Sequence, residues 1–181
     1  MERYIRDGRA PIPKKESTSR VMQANKAKDT KPEVLLRKAL RHAGLTGYRL
    51  HPKQLPGRPD IAFGKKKLAV FINGCFWHRC PTCELPLPKA NTEFWKKKFD
   101  ANISRDRKKI QALENIGWRT ITIWECWIAK DADGCANEIK GFLNSSGANP
   151  GSLYRNGLVH HRHIETGADE YPDDHVGPPF H

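Results

Sequence analysis

The sequence contains no apolar run that approaches the roughly 20 residues of a membrane span, and its N-terminal residues lack the apolar segment of a secretory signal. Acidic residues are few as well: 20 Asp and Glu stand against 32 Lys and Arg, which gives a formal net charge of +12. We therefore expect a cytoplasmic protein without a membrane partner. A polyanion such as nucleic acid is the expected partner, because clustered Lys and Arg gain affinity by releasing counterions from phosphates.

Cysteine is scarce and odd in number, which argues against a framework of disulfides. Five Cys occur in 181 residues, and two of them form a C-x-x-C pair. In a chain without a secretory signal this usage favours metal ligation. Only 38% of the residues are hydrophobic and no internal repeat is present, so the length predicts one compact domain with polar ends.

Composition divides the chain into three parts. We expect a flexible basic arm over residues 1–28, which is rich in Lys, Arg, Ser and Pro, and a folded domain over residues 29–143. Residues 144–181 are rich in Gly, Pro, His and acids and predict a disordered tail. Both ends have compositions that bury too little apolar surface to offset the entropy of ordering.

Helix and strand signals alternate between the two ends, which predicts an α/β fold. A capping box that begins at Thr30 predicts the first helix. The runs IAFG and KLAVFIN predict two adjacent strands, the second one buried and central, and WRTITIWEC predicts another strand. A long helix is expected from Asn91 to Gly117, and a last helix is expected to close the domain near Leu143.

One position of the long helix breaks its apolar pattern. The core-facing stripe comprises Phe99, Ile103, Asp106, Ile110 and Leu113. A carboxylate on such a stripe costs several kcal/mol unless it is paired. Cys80 and Cys83 have the spacing of a zinc knuckle and Cys126 ends a strand, so these thiols with Asp106 supply four ligands for a structural Zn²⁺. The alternative makes Cys80 and Cys83 surface thiols and Cys126 a core residue. We interpret the two remaining thiols as small buried apolar side chains, Cys75 and Cys135.

Three further side chains suggest catalysis. The motif LPGRPD places Asp60 at the start of a strand, where a carboxylate is displayed to Mg²⁺, although Gly57–Asp60 also suits an ordinary turn. Glu33 either helps to hold a metal-bound water or serves only as the capping-box partner of Thr30. His78 lies one predicted strand away and is suited to deprotonate an attacking water. A lone His is more often structural.

Several motifs occur in one order along the chain: LPGRPD, GCFWH, TEFW, RDR, and GW followed by WEC. This set resembles the very-short-patch repair endonucleases, which nick DNA at T·G mismatches left when 5-methylcytosine deaminates. The resemblance implies a restriction-endonuclease-like fold, a mixed sheet flanked by helices, with catalytic Mg²⁺ and structural Zn²⁺. It also implies duplex DNA with a T·G mismatch as substrate. A monomeric bacterial protein is implied, associated with the nucleoid and functionally linked to a DNA cytosine-5 methyltransferase.

The resemblance also implies a role for each matching residue. It implies Asp60 and the main-chain carbonyl of Ile72 as Mg²⁺ ligands, Glu33 as a supporting acid and His78 as the base. The implied zinc ligands are Cys80, Cys83, Asp106 and Cys126. The implied DNA contacts are Met22 in the arm and the wedging aromatics Phe76, Trp77 and Trp95. The alternative for Trp77 and Trp95 is packing in the core.

The chain departs from the family pattern at one catalytic position. Asn73 stands directly before GCFWH, where the family commonly has a second His. An Asn can hydrogen-bond a phosphate oxygen but carries no positive charge. The E-x-K triplet of typical restriction enzymes is also missing, which makes His78 the better base. Two other functions stay open: a zinc-stabilised DNA-binding module with a weakened active site, and a site-specific restriction nuclease that cuts intact duplex.

Overall fold

The computed structural model describes residues 28–145. The predictions of a basic arm over residues 1–28, including Met22, and of a tail over residues 144–181 fall almost wholly outside this range. Within it, no helix has the length and apolar character needed to cross a membrane.

Four strands form one mixed sheet in the order of the sequence. They are β1 (Arg49–Leu50), β2 (Ile61–Phe63), β3 (Leu68–Asn73) and β4 (Arg119–Trp124). β2 is antiparallel to both β1 and β3, whereas β3 and β4 are parallel. In the register of the central pairs, Val70 of β3 lies between Ile61 of β2 and Ile121 of β4.

Five α-helices and a 3₁₀ turn surround the sheet in the described part of the chain. They are α1 (Lys31–His42), the 3₁₀ turn (Gly64–Lys66), α2 (Cys75–His78), α3 (Thr92–Asn115), α4 (Glu125–Lys130) and α5 (Ala132–Asn144). This mixed sheet flanked by helices confirms the predicted fold class. The sequence patterns did not predict α2 and α4, because their four and six residues are too few to show a helical period.

The central strand β3 is buried on both faces. Leu68 and Val70 lie in the larger core, which α1, α4 and α5 cover, whereas Ala69 and Phe71 pack against Leu113 of α3 on the opposite face. Successive side chains of a strand point to opposite faces, so a strand that serves two cores must be apolar at every position. This explains the uninterrupted apolar run that predicted a central strand.

Sheet topology brings the functional segments to one edge. Strands β3 and β4 run in parallel and end side by side, with Asn73 opposite Trp124. The chain enters α2 after the first of these strands and α4 after the second. Since β2 runs antiparallel to β3, its first residues lie at the same edge, directly after Asp60. Three stretches that are distant in sequence therefore meet where β3 ends.

Candidate active site and metal centre

Two acids and a histidine meet at this edge of the sheet. Asp60 Oδ2 accepts a hydrogen bond from the main-chain N–H of Ile72 at 2.7 Å. Its other oxygen, Oδ1, lies 3.6 Å from Nδ1 of His51, and Nε2 of His51 lies 3.2 Å from Oε2 of Glu33. One ligand atom from each of these three side chains lies within 4.8 Å of the other two. The structure thus brings Asp60 and Glu33 together and adds His51.

His51 was not singled out by sequence reasoning. It follows β1, whose residue Leu50 pairs with Ile61, so the next residue along meets Asp60. The main-chain N–H of His51 donates to the carbonyl oxygen of Asp60 at 3.2 Å. A His that directly follows the run YRL was the available signal, but β1 has only two residues and its register cannot be derived from the sequence.

The environment of Asp60 disfavours a bare negative charge. Burial raises the pKa of Asp60, and the charge of Glu33 raises it further. The N–H of Ile72 and the nearby His51 and Lys109 act in the opposite direction without reversing the shift. A bound cation would offset the unfavourable charge, because an opposite charge within a few ångströms favours the ionised carboxylate.

Glu33 serves the helix cap and the acidic cluster at once. Its Oε1 accepts hydrogen bonds from the hydroxyl and the main-chain N–H of Thr30, at 2.8 and 3.4 Å. Its Oε2 accepts from the N–H of Asp29 and faces His51. The two interpretations of Glu33 from the sequence are therefore compatible, since each uses a different oxygen.

His78 and Asp106 form a second pair in the site. Nδ1 of His78 is hydrogen-bonded to Oδ2 of Asp106, and Lys109 Nζ lies 3.1 Å from the other oxygen. Burial alone would raise the pKa of Asp106, but His78 and Lys109 lower it below its ordinary value. The acid on the apolar stripe of α3 does have partners, as its burial required. They are the imidazole of His78 and the ammonium of Lys109.

Glu33 and Asp60 of the first group and His78 of the second line the same cleft. It has a volume of about 820 Å³ and opens between the start of α1, the end of β3 and the short helix α2. Its walls include Glu33, Asp60, Ile72, Trp77, His78 and Glu125. Carboxylates for a cation and an imidazole held by a carboxylate thus face one space.

Four thiols form a separate cluster beside the cleft. The sulfur atoms of Cys75, Cys80, Cys83 and Cys126 all lie within 4.8 Å of one another, which makes them a group able to hold a metal ion. The Sγ atoms of Cys80 and Cys126 are 3.8 Å apart. Zn–S bonds of about 2.3 Å in a tetrahedron place sulfurs about 3.8 Å apart, so the donors fit zinc.

The structure corrects the predicted ligand set. Asp106 pairs with His78 and lies outside the thiol cluster, and Cys75 stands in its place. Cys75 had been interpreted as a small apolar residue, and it is indeed only 4% exposed. Its spacing from Cys80 is not that of a knuckle. The turn of α2 directly after β3 brings its thiol back toward the other three.

The thiols differ in how readily they ionise. Burial raises the pKa of Cys75 far above its ordinary value and raises that of Cys126 to about 12. Burial acts the same way on Cys80, but the main-chain N–H groups of Cys83 and Thr82 outweigh it and lower the pKa of Cys80. Metal ligation requires thiolates, so a metal ion must displace protons from the other members of the cluster.

The aromatic residues of GCFWH pack against the first turns of α3. The Phe76 ring makes edge contacts with Trp77, Trp95 and Phe99, at centroid distances of 5.2 to 5.5 Å. Trp95 stacks on Phe99 and is only 7% exposed, whereas Trp77 is half-buried and lines the cleft. The predicted substrate-facing position therefore fits Trp77 but not Trp95, which packs within the protein.

Two further polar residues lie where the parallel strands end, Asn73 at the end of β3 and Glu125 directly after β4. Asn73 lines a small recess with Asp106 and Lys109, on the opposite side of β3 from Ile72. Glu125, the first residue of α4, accepts a hydrogen bond from the main-chain N–H of Cys75 at 2.6 Å. Glu125 belongs to the WEC motif, but the sequence patterns did not predict a role for it. It ties the end of β4 to the start of α2, which carries His78.

Comparisons with known proteins agree with this geometry. The family model of the DNA mismatch endonuclease Vsr matches residues 11–84. The type II nicking enzyme V.XorIIP of Xanthomonas oryzae is 42% identical over 126 residues, which cover 70% of this chain and 91% of that enzyme. V.NmeAIP of Neisseria meningitidis is 44% identical, over 62% of this chain and 79% of that enzyme. The DNA mismatch endonuclease Vsr of Escherichia coli is 37% identical, over 65% of this chain and 74% of its own.

A mixed α/β fold with these relatives and this acidic cleft defines a DNA endonuclease. More particularly, the chain belongs to the Vsr family of mismatch and nicking endonucleases, which confirms the resemblance inferred from its motifs.

Proposed function

We propose that the protein nicks one strand of duplex DNA beside the T of a T·G mismatch that arises when 5-methylcytosine deaminates, in a reaction that depends on Mg²⁺. One observation carries the proposal: Asp60 and His78 line the same cleft, and the imidazole of His78 is held by Asp106. The names of the relatives, a mismatch endonuclease and several nicking enzymes, support it.

Asp60 and the main-chain carbonyl of Ile72 would hold the Mg²⁺, with Glu33 as the supporting acid. The oxygen donors and the raised pKa of Asp60 fit a hard cation, because the cation would relieve the unfavourable charge. Oδ2 is engaged by the N–H of Ile72, which fixes the carboxylate and leaves Oδ1 for the ion. When bound, Mg²⁺ polarises the scissile phosphate and lowers the pKa of a ligated water.

His78 would act as the general base. Because Asp106 faces Nδ1, the carboxylate favours the tautomer that carries its hydrogen there and leaves Nε2 to accept a proton from the attacking water. Asp106 would then also stabilise the imidazolium that forms. Attack of the water on phosphorus breaks the bond to the 3′ oxygen and leaves a 5′-phosphate and a 3′-hydroxyl.

The four thiols would bind a structural Zn²⁺. Three of them lie in or just after α2, and Cys126 lies in α4, directly after β4, so the ion would join two segments that hydrogen bonding through Glu125 already connects. Since His78 ends α2, the zinc would fix the base relative to Asp60 without taking part in the reaction.

Mismatch selectivity would involve the aromatic residues of α2. We assign Trp77 and Phe76 to contact with the base stack, which costs a few kcal/mol to open and least at a mispaired step. Met22 would approach from the arm, Trp95 would support the other rings, and Asn73 would bind a phosphate oxygen. In the cell, the protein would act as a monomer and be linked to a DNA cytosine-5 methyltransferase.

Two labelled oligonucleotide duplexes test the proposal, one with a T·G mismatch and one fully paired, each incubated with Mg²⁺. The expected result is a nick in the T strand of the mismatched duplex alone, which an Asp60→Asn variant fails to produce. Cleavage of both strands of the paired duplex would favour a restriction nuclease. Binding without cleavage would favour a DNA-binding module. The observation that favours this alternative is Asn73, which stands where the family commonly has a His.

A further inference from the structure

His51 lies between the two acids of the site, with one ring nitrogen toward each. Its side chain is 16% exposed, while those of Glu33 and Asp60 are 8% and 24% exposed. Oε2 of Glu33 lies 3.2 Å from Nε2, and Oδ1 of Asp60 lies 3.6 Å from Nδ1. Together these three side chains form one of the two groups in the described part of the chain whose ligand atoms lie close enough to share a metal ion.

The distances suit a shared ion better than hydrogen bonds. Nδ1 of His51 and Oδ1 of Asp60 are 3.6 Å apart, which is too long for a hydrogen bond. Two donors about 2.1 Å from one metal ion lie roughly 3.0 to 3.6 Å apart at ligand angles of about 90 to 120°. The pair therefore has the separation of two ligands of one cation.

Ligation through Nδ1 would also give the second nitrogen a role. A metal on Nδ1 places the ring hydrogen on Nε2, which faces Oε2 of Glu33 at 3.2 Å. A carboxylate that accepts from the outer nitrogen of a ligating imidazole is the usual support of a metal-bound histidine. Glu33 is itself fixed by the capping box at Thr30, so the imidazole would be oriented by the start of α1.

We propose that His51 is a ligand of the catalytic metal ion, through Nδ1, with Glu33 as its outer carboxylate. The inference rests on the proposed function, since it shares the ion held by Asp60. A nitrogen donor changes which ions the site prefers. Imidazole binds transition metals, including Mn²⁺, better than it binds Mg²⁺, for which all-oxygen sites are typical. The site is therefore selective for Mn²⁺ over Mg²⁺, relative to the same site without His51.

The test uses zinc-loaded full-length protein without DNA and compares three variants. His51→Asn removes the imidazole, and Asn tolerates the left-handed backbone at this position, where φ is 44°. His42→Asn is the matched control, because His42 is exposed at the end of α1 and lies outside the cluster. Asp60→Asn tests the ion itself. Thermal unfolding establishes that each variant is folded.

Pulsed electron paramagnetic resonance on Mn²⁺, with the histidines labelled with ¹⁵N, gives a direct signal of metal–imidazole bonding. We expect a histidine nitrogen coupling in the parent and in His42→Asn that is absent from His51→Asn. Titration should show Mn²⁺ affinity in His51→Asn falling about tenfold or more, with a smaller loss for Mg²⁺, so that the ratio of the two affinities falls.

The outcomes separate this proposal from the proposed function. If Asp60→Asn abolishes Mn²⁺ binding but the parent shows no histidine coupling, His51 is not a ligand and the proposal is overturned, while the metal role of Asp60 stands. If His51→Asn loses Mn²⁺ and Mg²⁺ affinity equally and the parent shows no coupling, His51 only separates the two acids and does not bind the ion, which also overturns the proposal. Undiminished Mn²⁺ binding by Asp60→Asn overturns the metal site of the proposed function instead.

Discussion

The zinc ligand set can be tested by comparing three single substitutions. Cys75→Ala removes a thiol of the cluster, and Cys135→Ala removes a thiol of similar burial from the main core. Asp106→Ala removes the acid that the helical pattern predicts as a zinc ligand. We expect Cys75→Ala to lose its zinc and the other two to retain one zinc per chain. Zinc is counted by elemental analysis of protein purified without chelator, and stability is followed by thermal unfolding.

The expected magnitudes differ because ligation adds to packing. Cys75 and Cys135 are 4% and 0% exposed, so each change to Ala deletes one buried sulfur and costs about 1 kcal/mol through lost packing. For a domain of this size that corresponds to about 3 to 5 °C in Tm. Structural zinc contributes about 10 to 16 kcal/mol of apparent binding free energy, which is comparable to the whole stability of a domain. Cys75→Ala should therefore unfold at a far lower temperature than Cys135→Ala.

Two results would refute this reasoning. Zinc retained at parental affinity in Cys75→Ala would show that this thiol is only a core residue. Loss of zinc from Asp106→Ala, with zinc kept in Cys75→Ala, would restore the set expected from the helical stripe. The raised pKa values of Cys75 and Cys126 add a check, since protons compete for these thiols. Zinc should therefore bind less tightly as the pH falls.

Asp106→Asn should lower kcat for T·G nicking roughly 10²- to 10⁴-fold, because His78 loses the carboxylate that orients it; unchanged kcat in single-turnover assays would remove Asp106 from the mechanism. Asp60→Asn should abolish nicking yet unfold at no lower temperature than the metal-free parent at neutral pH. The pKa of Asp60 is raised in the fold, so its charge opposes stability above the ordinary carboxyl pKa, and the difference should shrink as the pH falls and the parent becomes protonated. Trp95→Ala should destabilise the protein by about 3 to 5 kcal/mol, whereas Trp77→Ala should stay folded and lose its preference for T·G; equal unfolding temperatures for the two variants would contradict the packing difference between the rings.

Local signals were sufficient for the long elements. The capping box of Thr30 and Glu33 is present at the start of α1, and the unbroken apolar run of β3 is buried on both faces. These features depend on neighbours within a few residues, so they can be predicted from the sequence. The helix α2 could not be predicted in this way. Its four residues are held by Glu125 and by Asn102, which donates to the carbonyl of Trp77 at 2.9 Å.

The errors in the site have one physical origin. The sequence showed correctly that Asp106 needs a partner, because a carboxylate on an apolar stripe is costly. It did not show which partner, because the path of α2, which places His78 beside Asp106, has no pattern in the sequence. His51 was missed for the same reason, since its approach to Asp60 depends on the pairing of β1 with β2. Ligand identity at a sheet edge is thus set by short, irregular segments whose own sequence patterns are the weakest.

The same segments explain how one fold keeps two groups of candidate metal ligands apart. The hard oxygen donors meet where β2 begins beside the end of β3, and the soft thiols meet where β3 and β4 end. Zinc prefers thiolates and Mg²⁺ prefers oxygens, so donor chemistry would direct each ion to a different group. His51 is the exception, because an imidazole suits transition metals better than it suits Mg²⁺. It lies with the carboxylates, whereas the four thiols form a group of their own, so any transition metal that His51 attracts would bind next to Asp60.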